Sequence, residues 1–376
     1  MIKKIKSDIF RHFTNLPGWH TNRKIVVIES DDWGSVRISS KEVYNTLKKS
    51  GQQLEYDPYS MFDNLATPTD LEALFDVLSS VKDKNGRNAV ITADTIVANP
   101  DFDKIKASNY TEYHYEPFTE TLKRSKAHEN AFELWEQGME AGIFRPQFHG
   151  REHVNVRKWL TDLQNDHAHV RLWFDQGSYG SSYLVDRQQS GHYMTAFDSV
   201  HPDDISFYNQ SIIEGLDLFE QIFGYRSESF IAPTYCWPPV IESTLKDNGV
   251  HFLQGMVVQT IPSDRGEHFK LKRTNFQGTK SSSGLIYLMR NGYFEPSQNS
   301  GFDYVSDCLN RIKTAFRCYK PATISMHRLN VIGNLNPDNR TRNLAMLKRL
   351  LQEITKRWPD VEFMSSDELG RLILNK

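Results

Sequence analysis

The chain has 376 residues, 39% of them hydrophobic and 24% charged, with a formal net charge of −2. That is ordinary globular composition, long enough to bury a large core. A near-neutral balance without any Lys/Arg block excludes the electrostatic footprint of a nucleic-acid or anionic-membrane binder.

The N-terminal stretch MIKKIKSDIF is basic but has no apolar core of signal-peptide length, and no window of the chain is apolar enough for a membrane span; a cytoplasmic protein is expected. KIVVIES (24–30) then reads as a strand that ends at Asp31-Asp32. TPTDLEALFDVLSSV (67–81) is a helix, with Thr69 and Glu72 at capping-box spacing. NAVITAD (88–94) is the next strand, KAHENAFELWEQGMEAG (126–142) the next helix, IFRPQFH (143–149) a strand and NVRKWLTDLQ (155–164) a helix. SESFIAP (227–233) is followed by PPVIESTLKDNG, where prolines open a helix and Gly249 closes it. HFLQG, GLIYLMR and PATISMH are further strands, the segment 336–358 is an amphipathic helix, and VEFMSSDELGRLIL repeats strand and capped helix. Cys236, Cys308 and Cys318 form no C-x-x-C pair and read as reduced thiols.

This alternation predicts an α/β fold, a distorted (β/α) barrel of about seven parallel strands, as one catalytic domain over 1–376. Residues 96–125 and 174–203 break the pattern and read as long insertions near an active site.

Several apolar runs end in polar residues suited to catalysis: Asp31 and Asp32, Asp94, His149 and His327. In parallel α/β folds the carboxyl ends of strands converge on one face, where sites form. Taken singly, each has a plain alternative: Asp31-Asp32 a polar turn, His149 and His153 surface residues, His327 a rim histidine, and Pro233-Thr234-Tyr235 a strand-ending turn. A helix starting near Gly150 would put His149 and His153 on one side. Taken together, one carboxylate and two histidines make a three-ligand site for Zn²⁺ or a similar ion, with a second carboxylate as base and a histidine as acid.

At these residues the sequence resembles the polysaccharide deacetylase (NodB-homology) superfamily, metal-dependent deacetylases on a distorted barrel. ESDDWG resembles the family's T-F-D-D-G, which implies Asp31 as general base and Asp32 as metal ligand. HGREH resembles H-[ST]-x-x-H, implying His149 and His153 as the other ligands. IAPTY is similar to R-x-P-Y, and SMH to L-x-H, implying His327 as catalytic acid. The resemblance also places an oxyanion-binding backbone N–H near Tyr235, while Trp33, Tyr235 and Trp237 are candidates to stack on a sugar. Ile231 stands where the third motif has Arg, with Arg145, Arg151 and Arg328 as candidate replacements. Ser325 stands where a Leu lines the acetate pocket, and no fourth motif is identifiable.

The implied function is a Zn²⁺-dependent deacetylase removing an N-acetyl or O-acetyl group from a sugar or polysaccharide precursor, with carbohydrate as partner. Three alternatives compete. H-x-x-E-H is also the spelling of inverted zinc proteases, which would need this segment on a helix and Glu152 as base. A barrel glycoside hydrolase would use two carboxylates without metal. A carbohydrate-binding protein on a decayed scaffold would fit the missing arginine.

Overall fold

The computed structural model describes residues 11–181, 193–263 and 271–375. Its central sheet has nine strands: β1 (Lys24–Trp33), β2 (Ile91–Ile96), β3 (Phe144–Gly150), β4 (Ser229–Phe230), β5 (Phe252–Met256), β6 (Ile286–Arg290), β7 (Gly292–Tyr293), β8 (Ala322–His327) and β9 (Val361–Met364). All pairings in it are parallel, in the order β6-β5-β4-β3-β2-β1-β8-β7, with β9 against the start of β1. Only Asn291 separates β6 from β7; the first pairs with β5 and the second with β8, so the ring nearly closes. β1 to β5, the β6–β7 stave and β8 make seven, the α/β barrel expected from the strand-helix alternation.

β1 shows how the sequence builds this barrel. Alternate residues of a strand face opposite sides. Ile25 and Val27 pack inward with Phe252, Ile286 and Leu288, and the helix Ser366–Leu374 closes that floor with Leu369 and Ile373. Val26 and Ile28 face outward into the main core, beneath helices Pro68–Ser79, Pro202–Phe223 and Pro337–Arg357. Continuing the inward parity, Glu29 and Asp31 come next above the apolar floor. The barrel thus has a dry lower half and a polar upper half.

Two local expectations change. The capping box of Pro68–Ser79 is formed by Thr67 and Asp70 rather than Thr69 and Glu72, because Pro68 fits the first helical position, where no N–H is needed. His149 and His153 do not share a helical turn. β3 carries His149 and ends at Gly150, and the next helix starts only at Val156, capped by Asn155. Gly150, at φ 134°, turns the chain at that point; a Cβ there would meet the Glu152 carbonyl oxygen at 3.3 Å.

Residues 96–125 form a two-stranded ribbon, Ala98–Pro100 with Tyr115–Pro117, and the short helices Phe102–Ala107 and Phe118–Lys123. Of the stretch 174–203, residues 182–192 lie outside the described residues. Ile105, Tyr110, Phe174, Tyr193 and Met194 from these stretches share a satellite core with Val156 and Trp159. No described helix is long and apolar enough to cross a membrane.

Candidate active site

β1 breaks its own alternation where the polar residues begin. Regular pleating would send Asp31 and Asp32 to opposite faces. The register with β2 shifts between Ser30 and Trp33, and Asp32 adopts a left-handed φ of 72°. That conformation costs a non-glycine residue about 1–2 kcal/mol. The Trp33 indole N–H donates to Ser30 Oγ at 2.9 Å across the irregularity. Both carboxylates therefore line one pocket of about 320 Å³, together with His149, His153, Tyr235 and His327.

Asp32, His149 and His153 present ligand atoms that lie within 4.8 Å of one another, the only such trio among the described residues. Asp32 Oδ1 is 3.4 Å from His149 Nε2 and 3.2 Å from His153 Nε2. His149 Nδ1 is 2.8 Å from the Ile231 carbonyl, to which it donates, so Nε2 carries the lone pair toward Asp32. That buried Nε2 makes no hydrogen bond. Burial, outweighing the pull of Asp32, lowers the His153 pKa to about 4, so this ring is neutral. Burial acts against the Asp32 charge, but Arg37 above all holds its pKa well below the usual range. One carboxylate and two imidazoles, with a buried nitrogen lacking any donor, fit a divalent ion. The carboxylate's other oxygen, Oδ2, takes a 3.3 Å hydrogen bond from Arg37 Nη2.

Asp31 is held by an arginine absent from the sequence-level candidates. Arg290, the last residue of β6, donates through Nη1 to Asp31 Oδ2 at 2.7 Å and through Nη2 to Oδ1 at 2.5 Å. Its Nε reaches Glu29 at 2.5 Å, Nη2 also reaches Asp94 at 3.0 Å, and Nη1 reaches the Tyr235 hydroxyl at 2.8 Å. The guanidinium is fully buried. Burial raises the Asp31 pKa, but the charge and hydrogen bonds of Arg290 prevail and bring it down to about 2. Asp94 goes the other way: burial, then the charge of Asp31, push its pKa well above the carboxylate range. The cluster thus favours the ionised form of Asp31 and pushes Asp94 toward the protonated form.

His327, at the end of β8, stands beside Asp31 in register on the neighbouring strand, with Nε2 3.7 Å from Asp31 Oδ2. Its Nδ1 donates to Glu295 Oε1 at 2.5 Å, and the other Glu295 oxygen accepts from Asn330 at 2.7 Å. Burial works against the imidazolium, yet Glu295 and the two aspartates raise its pKa to about 9. An ionised carboxylate and a protonated histidine therefore flank the ligand trio.

The structure brings Asp31, Asp32, His149, His153, Tyr235 and His327 to one mouth. It does not bring Trp33 or Trp237 there, which corrects their reading as sugar-stacking residues. Trp33 is 1% exposed and packs edge-on against Trp135 and Phe144 in the outer core, because the break in β1 at Asp32 reverses the parity and turns it away from the pocket. Trp237 is 2% exposed, with its indole N–H on Glu242. The named arginines serve elsewhere: Arg145 pairs with Asp367, Arg151 with Glu152 and Glu214, and Arg328 with Asp63. Glu152 accepts from Arg151 at 2.6 Å and from Ser211 at 3.0 Å and is not on a helix, contrary to what the protease spelling requires. Arg290 also ends an apolar run, GLIYLMR, the same signal that marks Asp31 and His327. Glu295 and Arg37 carried no such signal. A larger cavity of about 460 Å³, bordered by Val36, Phe102, His128 and Phe174, contains none of these site residues.

No family model matches the sequence, and no curated protein does. Among solved structures the chain is similar to a 4-alpha-glucanotransferase from Thermococcus litoralis, at TM-score 0.48 and 8% identity over 92% of this chain and 40% of that one. It is also similar to Puue allantoinase, at 0.47 and 11% over 94% and 93% of the two chains. A third is a Mycobacterium smegmatis protein assigned to the polysaccharide deacetylases, at 0.45 and 11% over 96% and 93%. The chain thus spans 40% of the length of the glucanotransferase, and these likenesses are in the course of the chain alone.

Proposed function

We propose that this chain is a metal-dependent hydrolase, acting as one catalytic unit, that removes an N-acetyl or O-acetyl group from a carbohydrate. The observation that carries the reading is the convergence, in one pocket, of the Asp32–His149–His153 trio with an Arg290-clamped Asp31 and a Glu295-paired His327. Asp32, His149 and His153 would hold the ion, most simply Zn²⁺ given one carboxylate and two imidazoles. Such an ion, when bound, supplies Lewis acidity toward a carbonyl and acidifies a water.

The residues divide the proton work. Asp31 is ionised and fixed by a bidentate guanidinium, so it accepts a proton from the attacking water. His327, protonated through Glu295, donates to the departing sugar nitrogen or oxygen. The short Asp31–His327 separation lets base and acid address the two ends of one scissile bond. Two groups with pKa values pushed in opposite directions are the usual mark of such a division. The missing third-motif arginine lends some weight to the decayed-scaffold reading, and the Arg290 clamp on Asp31 supports the catalytic one.

Metal analysis of the purified protein beside Asp32→Ala, with acetate release measured on acetylated oligosaccharides, tests the proposal. Expected are about one ion per chain, its loss in the variant, and acetate release abolished by chelation and restored by metal. Metal content unaffected by the substitution, or activity surviving thorough chelation, would overturn it; the latter would favour a glycoside hydrolase using carboxylates alone.

A further inference from the structure

We propose that the phenolic O–H of Tyr235, rather than a backbone amide, is the protein's hydrogen-bond donor to the carbonyl oxygen of the acyl group. The inference rests on the deacylase reading above and assigns a residue to a part of it that the loop backbone does not fill. In IAPTYCW, Thr234 and Tyr235 are both left-handed, at φ 59° and 56°. This closes a turn in which the Tyr235 N–H donates to the Ala232 carbonyl at 3.0 Å. The following amide, of Cys236, points to the Pro233 carbonyl at 3.5 Å. The Tyr235 amide is therefore spent on the turn and cannot also serve an oxyanion.

The phenol is in the opposite position. A guanidinium only donates, so the 2.8 Å bond from Arg290 Nη1 occupies a lone pair of Tyr235 Oη and leaves its hydrogen to be placed. The other partner recorded for Oη is Ser325 Oγ at 3.4 Å, a long contact, and that oxygen already takes Arg290 Nη1 at 3.3 Å. A bond of this length holds the proton weakly. Tyr235 lines the pocket with the ligand trio, so the hydrogen is free to turn toward a bound acyl oxygen. The same Nη1 donates to Asp31 Oδ2, so one nitrogen fixes both the base and the donor. Burial, only partly offset by Arg290, raises the phenol pKa to about 12, which keeps that proton in place at neutral pH.

Removing one donor of this kind typically costs about 10²–10³ in kcat. Y235F should show that loss on an acetylated oligosaccharide, with KM, metal content and the acid limb of the pH–rate profile unchanged. The last readout separates a donor from a positioning residue, since a loosened Arg290 would raise the pKa of Asp31 and move that limb. A variant within threefold of wild type, or one whose loss comes with a displaced acid limb, overturns the assignment while leaving the deacylase reading standing. Wild-type protein that binds metal but releases acetate from no acetylated sugar overturns both. Should Y235F fail to fold, difluorotyrosine at position 235 keeps shape and hydrogen. Its more acidic phenol should carry the alkaline loss of activity to lower pH than the His327 limb of the wild type, and an unmoved alkaline limb refutes the proposal.

Discussion

Replacing Arg290 by methionine is the sharpest perturbation of this architecture. Its guanidinium is fully buried and is the shared cation of Glu29, Asp31 and Asp94. In the wild type, burial opposes the Asp31 charge and Arg290 overcomes it, moving the pKa from 3.8 to about 2. At 1.36 kcal/mol per unit, that depression corresponds to about 2 kcal/mol of native-state preference for the carboxylate. Methionine fills the volume but leaves the charge unpaired, and breaking a buried pair costs about 3–5 kcal/mol. The sign with pH follows. A depressed folded pKa stabilises above the unfolded value and is lost as pH falls toward about 2. With Arg290 gone, burial is opposed only by the smaller pull of His327 and His149, so the Asp31 pKa rises and the ionised form loses the stabilisation it had. The stability gap between wild type and R290M should therefore be widest near pH 8 and narrow toward pH 4. Urea denaturation at both pH values measures it, with R290K recovering part of the gap because charge is kept and the fork lost. A gap below about 1 kcal/mol at pH 8, or one equal at both pH values, would refute the buried-pair reasoning.

Further expectations follow from the same geometry. Glu295→Gln removes the largest of the charges that overcome burial at His327; its pKa should fall from about 9 toward the ordinary 6.5, drawing the alkaline limb of the pH–rate profile down with it. His327 should also cease to stabilise the fold between those values, since a raised histidine pKa contributes stability below its unfolded value and loses it as pH rises through the folded one. Gly150→Ala strains a φ of 134° and crowds the Glu152 carbonyl; it should cost about 1–2 kcal/mol and weaken metal affinity, read by competition with a chelating dye. Glu152→Gln should leave acetate release intact, as Glu152 bonds Arg151 and Ser211 away from the pocket, and abolished turnover with normal metal content would revive the protease reading.

What the sequence determined by itself is what short range controls. β1, β3 and β8 were legible because apolar runs of strand length stop at polar residues, and Asp31, Asp32, His149 and His327 sit at those stops. Helices such as Pro337–Arg357 were legible from apolar periodicity and N-terminal proline. Strand-helix alternation then implied that these ends share one face. The tertiary structure decided what depends on closing the ring. Arg290 reaches Asp31 only because β6–β7 completes the barrel beside β8, a contact between residues far apart in sequence. The same closure pairs Glu295 with His327. It also sets the charge states, for a pKa depends on burial and on the nearest opposite charge, and neither is written in the local sequence. That is why the residue types of the site could be read from the chain, while the cation that keeps its base ionised could not.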